Sequence, residues 1–171
     1  MRLEQEGFVE IQARRGVYIK RKSLDEILEM ITVWAALESM AARLACAEAT
    51  DEEIAELRQI GTQYTKDKAK AHISEYSEAN IDFHLAILRM SKCSMLQEIA
   101  EGLFTHLKAV RRKGMEDTAR ADRSVVDHMN IIQAIEDRDA ELASDLVREH
   151  TFRLHDYIRR SWKYIVGDNA G

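Results

Sequence analysis

Residues 23–48 read SLDEILEMITVWAALESMAARLACAE, and the fold class follows from how this stretch is patterned. Ile27, Ile31, Trp34, Leu37, Ala41 and Leu44 recur at three- and four-residue steps, the period that gives an α-helix one apolar face. At its start, the Ser23 hydroxyl and the Glu26 carboxylate are spaced to satisfy each other's free backbone amides, so the spacing predicts a helix over 24–48. Downstream the same period persists. Thr50 caps a second helix running to about residue 69, and further helices are expected over 72–91, 94–114 and 120–137. In these, Ser94 serves as a cap and Lys113-Gly114 as a stop. Asp139 caps a long last helix whose stripe includes Leu142, Leu146, Phe152, Leu154, Ile158, Trp162 and Ile165. The protein has 171 residues, 46% hydrophobic and 32% charged, with seven glycines and no proline. That size supports one buried core, and so few turn-forming residues disfavour a fold of many short strands. The expected class is all-α: an antiparallel helical bundle.

Upstream of residue 23 the period changes. Val9, Ile11 and Ala13 interleave with Glu10 and Gln12, and Val17 and Ile19 follow Arg14-Arg15-Gly16, so residues 8–20 read as one β-hairpin ahead of the bundle. The boundary falls near residue 22, dividing 1–22 from a helical domain over 23–171. Charge divides at the same place: residues 1–22 hold six basic and three acidic residues, a balance of +3, while the whole chain carries −5. A net acidic body argues against a general nucleic-acid coat, and the basic head is either a solvated terminus or a phosphate contact. An isolated hairpin is marginal in water, so this piece must lean on the helices, on a partner, or on further sequence. The N-terminus lacks the apolar stretch of a signal peptide, and no apolar run approaches the ~20 residues that cross a bilayer. Cys46 and Cys93 are not in CxxC spacing and fit core positions. A cytoplasmic protein with no membrane contact is expected.

Six histidines are present. Asn80 and His84 are spaced i, i+4, which sets both on one helix face, while His128 and His150 fall on two later helices among apolar neighbours. Three imidazoles and an amide oxygen converging between helices suit a divalent transition ion, zinc first, with nickel or manganese as alternatives. For each histidine taken alone, a hydrogen-bonded core residue is the simpler reading. Asp127 and Glu149 each precede one of these histidines, and adjacent helical positions diverge, so neither carboxylate is expected to share the ion. There is no glycine-rich phosphate loop and no nucleophile–histidine pairing. An enzyme is not favoured.

Several segments, in this order and spacing, resemble a known family. They are Leu3-Glu4-Gln5-Glu6-Gly7-Phe8-Val9-Glu10, Arg15-Gly16-Val17-Tyr18-Ile19, Leu37-Glu38 with Ala41-Ala42-Arg43-Leu44-Ala45, Phe83-His84, and Asp127-His128 through Arg148-Glu149-His150. Together they are similar to GntR-type transcription regulators of the FadR subfamily, whose helical effector domain is called FCD. The resemblance implies a DNA-binding repressor that acts as a homodimer and senses a small organic acid over a bound metal. It implies that residues 1–7 end the recognition helix of a winged helix-turn-helix and that residues 8–20 form the wing, with Arg14 and Arg15 touching operator phosphates. The rest of the DNA-reading head would precede residue 1, so the chain as given should not read a DNA sequence.

Carried over residue by residue, the family's metal ligands fall on Asn80, His84, His128 and His150. The first is usually Asp, and Asn offers a carbonyl oxygen without charge. Where many members have an Arg to grip the effector's carboxylate, this chain has Trp34, which implies an aromatic or less anionic ligand, or a tryptophan that simply packs in the core. Arg111, Arg112 or Arg123 could restore the positive charge. Two other readings compete: a helical interaction module with structural histidines, and a metal-dependent helical-bundle enzyme, which would need a carboxylate-rich ligand set on facing helices.

Overall fold

The computed structural model describes residues 9–12, 16–19, 22–63 and 73–166. Strands β1 (Val9–Gln12) and β2 (Gly16–Ile19) pair antiparallel, with Val9 opposite Ile19 and Gln12 opposite Gly16. This is the pairing that the two-residue alternation calls for. The turn carrying Arg14 and Arg15 lies outside the described residues, as do residues 1–7.

Six helices follow among the described residues: α1 (Leu24–Glu48), α2 (Asp51–Thr62), α3 (Ile73–Met90), α4 (Ser94–Met115), α5 (Thr118–Glu136) and α6 (Ala140–Val166). Both of the first two begin with reciprocal caps. Glu26 N–H donates to the Ser23 hydroxyl while Ser23 N–H donates to the Glu26 carboxylate, and Thr50 and Glu53 repeat the arrangement. Asp139 caps α6 by accepting from the Leu142 N–H at 3.0 Å.

Several sequence expectations need correction. Ser94 is the first residue of α4 and not its cap; Cys93 holds the cap position without a side-chain hydrogen bond. Gly114 does not stop α4, which continues to Met115. A Cβ at Gly114 would meet the Arg120 guanidinium and the Tyr157 ring at ordinary van der Waals distance, so the packing there does not demand glycine. Helix α2 ends at Thr62, with residues 64–72 outside the described ones. On α6, Leu142 and Phe152 stand 48% and 38% exposed although they fit the apolar period. Finally, α1 is apolar and long enough to cross a membrane, its mean hydropathy reaching 1.3, contrary to the expectation that no run approaches such a length.

The packing shows where that apolar surface goes. Helix α1 packs most extensively on α6 and also touches α3, α4 and α5. Glu38 meets Thr151 and Arg43 meets Glu141, so α1 and α6 run antiparallel. Ala35, Ala41, Ala42 and Ala45 are all essentially inaccessible, and such small side chains let the two helix axes approach closely. Ile27, Ile31 and Trp34 from α1 join Phe83 and Ile87 from α3, Leu107 from α4, Ile131 and Ile135 from α5, and Leu154 and Ile158 from α6 in one core. Apart from Ser91 at the end of α3, the buried polar groups of the described residues gather at one level, where Glu38, Asn80, His84, Arg111, Asp127, His128, His150 and Thr151 lie together with Ser77 and Ser124 nearby.

A buried three-histidine centre

Each central helix contributes to that polar level. Helix α3 supplies Asn80 and His84, α5 supplies Ser124, Asp127 and His128, α6 supplies His150 and Thr151, and α1 supplies Glu38. One donor nitrogen from each of His84, His128 and His150 can be chosen so that all three lie within 4.8 Å of one another. The ring centroids are 5.4 Å apart for His84 and His128, 5.3 Å for His84 and His150, and 4.8 Å for His128 and His150. The structure therefore brings together the three histidines that sequence spacing alone could place only on separate helices.

Two of the rings are held from behind by carboxylates. The Glu38 carboxylate accepts from His84 Nδ1, and Asp127 Oδ2 faces His150 Nδ1 at 3.2 Å. With Nδ1 protonated, each Nε2 keeps its lone pair, and His84 Nε2 has no hydrogen-bond partner among the described residues. A buried imidazole nitrogen with a bare lone pair, its opposite nitrogen donating to a carboxylate, is the arrangement that orients a metal ligand and raises its basicity. His128 is fixed differently. It stacks on Phe83 with centroids 3.9 Å apart, and its Nε2 lies 3.4 Å from the Ser124 hydroxyl, which also donates to Asn80 Oδ1 at 3.3 Å. Asn80 thus joins the cluster through Ser124, and its amide nitrogen is without a partner among the described residues.

The electrostatics match neutral imidazoles. Burial pushes His84 and His128 well below their ordinary values, with Arg111 and the neighbouring histidines adding to the effect. Burial also lowers His150, opposed by Asp127. For Asp127 burial alone would raise the carboxyl. His150, Arg153 and Arg123 outweigh it and hold the group low. Arg123 and Arg153 reach Asp127 at 3.0 and 2.9 Å. Glu38, with no access to solvent, is pushed up by burial, against which Arg111, His150 and the hydrogen bonds from Trp34 and Thr151 act. Neutral imidazoles are the form that binds metals.

The other candidates take up distinct positions. Trp34 is fully buried, its N–H donates to Glu38 at 2.6 Å, and its ring packs 5.3 Å from Phe104. Above it lies Arg111, 4.9 Å from the ring centroid and 4.0 Å from Glu38, so the cation near this tryptophan comes from α4. Arg123 is exposed on α5, and Arg112 pairs with Glu78 on the surface. A cavity of about 410 Å³ opens between α5 and α6, reaching Ser124, Asp127 and His150. Asp127 and Glu149 do not share the histidine centre directly, the first because it stands behind His150 and the second because it pairs with Arg153 outside.

Sequence reasoning missed Glu38, Ser124 and Thr151 as parts of the site. Two signals were available. Glu38 is a lone charge within the apolar stripe of α1, four residues from Trp34, and Ser124 precedes His128 by one helical turn.

Comparison with known proteins agrees with this architecture. The FCD domain family matches residues 29–153. The HTH-type transcriptional repressor RspR of Escherichia coli (strain K12) is 19% identical over 160 residues, covering 94% of this chain and 70% of its own length. The Nta operon transcriptional regulator of Aminobacter aminovorans is 25% identical over 157 residues, covering 92% of this chain and 73% of its own. Among solved structures, E. coli McbR/YncC superposes with a TM-score of 0.75 at 18% identity, covering 94% of this chain and 77% of that one. A GntR family member from Pseudomonas syringae pv. tomato reaches 0.71 at 16% identity, covering 98% and 70%. At such identities the structural likeness is one of fold. The relatives are transcription regulators and not enzymes, so the metal-enzyme alternative is set aside. With 125 contiguous residues matched, from within α1 to within α6 and including all three histidines, the chain belongs to the FCD domain family, whose members matched here are transcription regulators.

Proposed function

We propose that this helical domain is the effector sensor of a DNA-binding transcription repressor, and that the effector is a small organic acid bound at a divalent ion held by His84, His128 and His150. The observation that carries the reading is the orientation of His84, whose Nδ1 is engaged by buried Glu38 while its Nε2 is bare in a completely enclosed setting. Asn80 is the supporting fourth ligand, through its amide oxygen. When bound, the ion supplies uncompensated positive charge to which a carboxylate can coordinate. The chain's residues keep three imidazoles neutral and aimed inward, and exclude bulk water.

Calorimetry on metal-stripped protein titrated with zinc, nickel or manganese tests this. One ion should be taken up per chain, and His128→Ala and His150→Ala should each abolish or greatly weaken uptake. No uptake by the unmodified protein, or uptake that survives both substitutions, defeats the site. It would leave the histidines structural, as the helical-interaction-module reading requires. Metal and effector should tighten each other by the same factor, because coupling between equilibrium affinities is reciprocal. Asn80→Asp should strengthen metal binding by adding a charge.

In this reading residues 23–171 form the sensing and dimerising domain, and the β1–β2 hairpin within residues 1–22 is the wing, whose Arg14 and Arg15 contact operator phosphates. Self-association uses the outer face of α1, where Val33, Ala36 and Met40 are exposed along one apolar stripe. The working compartment is the cytoplasm, where the operator DNA lies.

A further inference from the structure

The cavity between α5 and α6 contains a charge that the three-histidine centre does not use. Its walls carry four arginines, Arg120, Arg123, Arg153 and Arg160, against three carboxylates, Asp117, Asp127 and Asp156, and its inner end reaches His150 and Ser124. Two of the four are neutralised: Arg123 and Arg153 both pair with Asp127, and Arg153 also pairs with Glu149. Arg120 is different. Its guanidinium lies 5.6 Å from the Tyr157 ring centroid and 3.2 Å from Met115 Sδ, and no carboxylate forms an ion pair with it among the described residues. Deeper in the bundle, Arg111 is 2% exposed, and its Nε and one terminal nitrogen have no hydrogen-bond partner among the described residues. Burial and the charge of Arg111 push the Arg120 guanidinium down to about 10, and the charge of Arg120 bears on all three histidines. Among the described residues, Glu38 is the fully buried carboxylate beside Arg111, and Asp127, the other buried carboxylate of this level, is already held by Arg123 and Arg153. Asp117, which accepts from the Arg120 N–H at 3.1 Å, offsets part of that guanidinium's charge without an ion pair to it. The two guanidinium groups are left incompletely neutralised, a metal ion would add to the positive charge, and buried charge without a full counter-charge is costly.

From this imbalance we infer that the effector carries two anionic groups, one at the three-histidine centre and a second, carboxylate or phosphate, bound by Arg120 in the cavity between α5 and α6. The inference rests on the effector reading of that centre and adds the ligand's charge and shape. Arg120 meets its anion from the side of Tyr157, while the exposed Arg160 lines the approach with the Asp127-bound pair Arg123 and Arg153, and Asp117 and Asp156 offset part of their charge. An anion there gains charge-assisted hydrogen bonds in a partly desolvated setting. This inference departs from the less anionic ligand expected from Trp34: the tryptophan's N–H is committed to Glu38, and the cations come from α4 and α5.

The test is calorimetry at constant ionic strength with lactate and acetate as monoanions, malate as a dicarboxylate, and phosphoglycolate as a carboxylate joined to a phosphate. At least one of the two-headed acids should bind about tenfold or more tighter than lactate. Malate and phosphoglycolate distinguish the two kinds of second group. Arg120→Gln should erase that preference, weakening the two-headed acid far more than lactate, Arg160→Gln should leave it intact, and Arg120→Lys, which keeps the charge, should retain part of it. Near-equal binding of all the acids, no binding of any, or a preference that survives Arg120→Gln overturns the inference. Repeating the series on metal-stripped protein separates the two readings. A preference that persists where no metal is taken up defeats the metal centre alone, and metal uptake without the preference defeats the second anionic group alone.

Discussion

His84 and His150 each turn one nitrogen to a carboxylate and the other inward, and the cost of holding them neutral inside the bundle has a measurable consequence. His84, His128 and His150 all titrate below the ordinary value of 6.5 because burial disfavours their charged forms. Unfolded, the same side chains take up protons at the ordinary value. Between that value and the depressed one the unfolded chain binds more protons, so stability falls as pH falls, and it is fully present only above about 6.5. Metal-stripped protein should therefore lose thermal midpoint as pH is lowered from about 7.5 to about 5.5, at a rate of about 1 kcal/mol per unit for each affected histidine. A midpoint independent of pH across that window would mean that the imidazoles are not buried as described. Bound metal should resist the loss, since protons and metal compete for the same lone pairs.

Among the elements, the α1–α2 corner shows how local sequence and distant residues combine. Thr50 and Glu53 cap α2 reciprocally, so Thr50→Ala should destabilise the fold by about 1 kcal/mol, readable as a shift in denaturant midpoint without a change in slope. An unchanged midpoint would show that the cap contributes nothing to global stability. The same corner is held from across the bundle by Arg138, which donates to the carbonyls of Cys46 and Ala49 at 3.3 and 2.7 Å and pairs with Asp51. Arg138 occupies the left-handed region at φ 57° just past the end of α5, a place usually given to glycine. Its side chain accounts for the exception, because glycine there would relieve the backbone and lose three contacts to another element. The period of α1, its cap and its end were all legible in residues 23–48. That Arg138 closes this corner was not, because the two segments are about ninety positions apart and helical spacing relates only near neighbours.

At the scale of the whole molecule, the outer surface of α1 is the least expected feature. Val33 and Met40, seven residues apart, are 47% and 48% exposed on the helix that otherwise forms the centre of the core. With self-association through this stripe, Met40→Glu should shift the protein from dimer to monomer in light scattering at micromolar concentration while its helical circular dichroism stays the same. A dimer that survives Met40→Glu and Val33→Glu together would move the interface elsewhere. A monomeric unmodified protein would remove it.

The all-helical class, the approximate spans of the helices and the strand alternation of the hairpin follow from the sequence by itself, because helical and extended periods, caps and the lack of proline act over a few residues at a time. The sequence also identified His84, His128 and His150 as residues of interest, since each is a polar group on an apolar stripe. Only tertiary structure decided that the three converge, that Glu38 and Asp127 stand behind two of them, that Trp34 gives its N–H to Glu38, and that Arg111 and Arg120 lack full neutralisation. The physical reason is range: periodicity fixes which face of a helix turns inward, whereas the depth and rotation at which five helices pack together fix which inward groups meet.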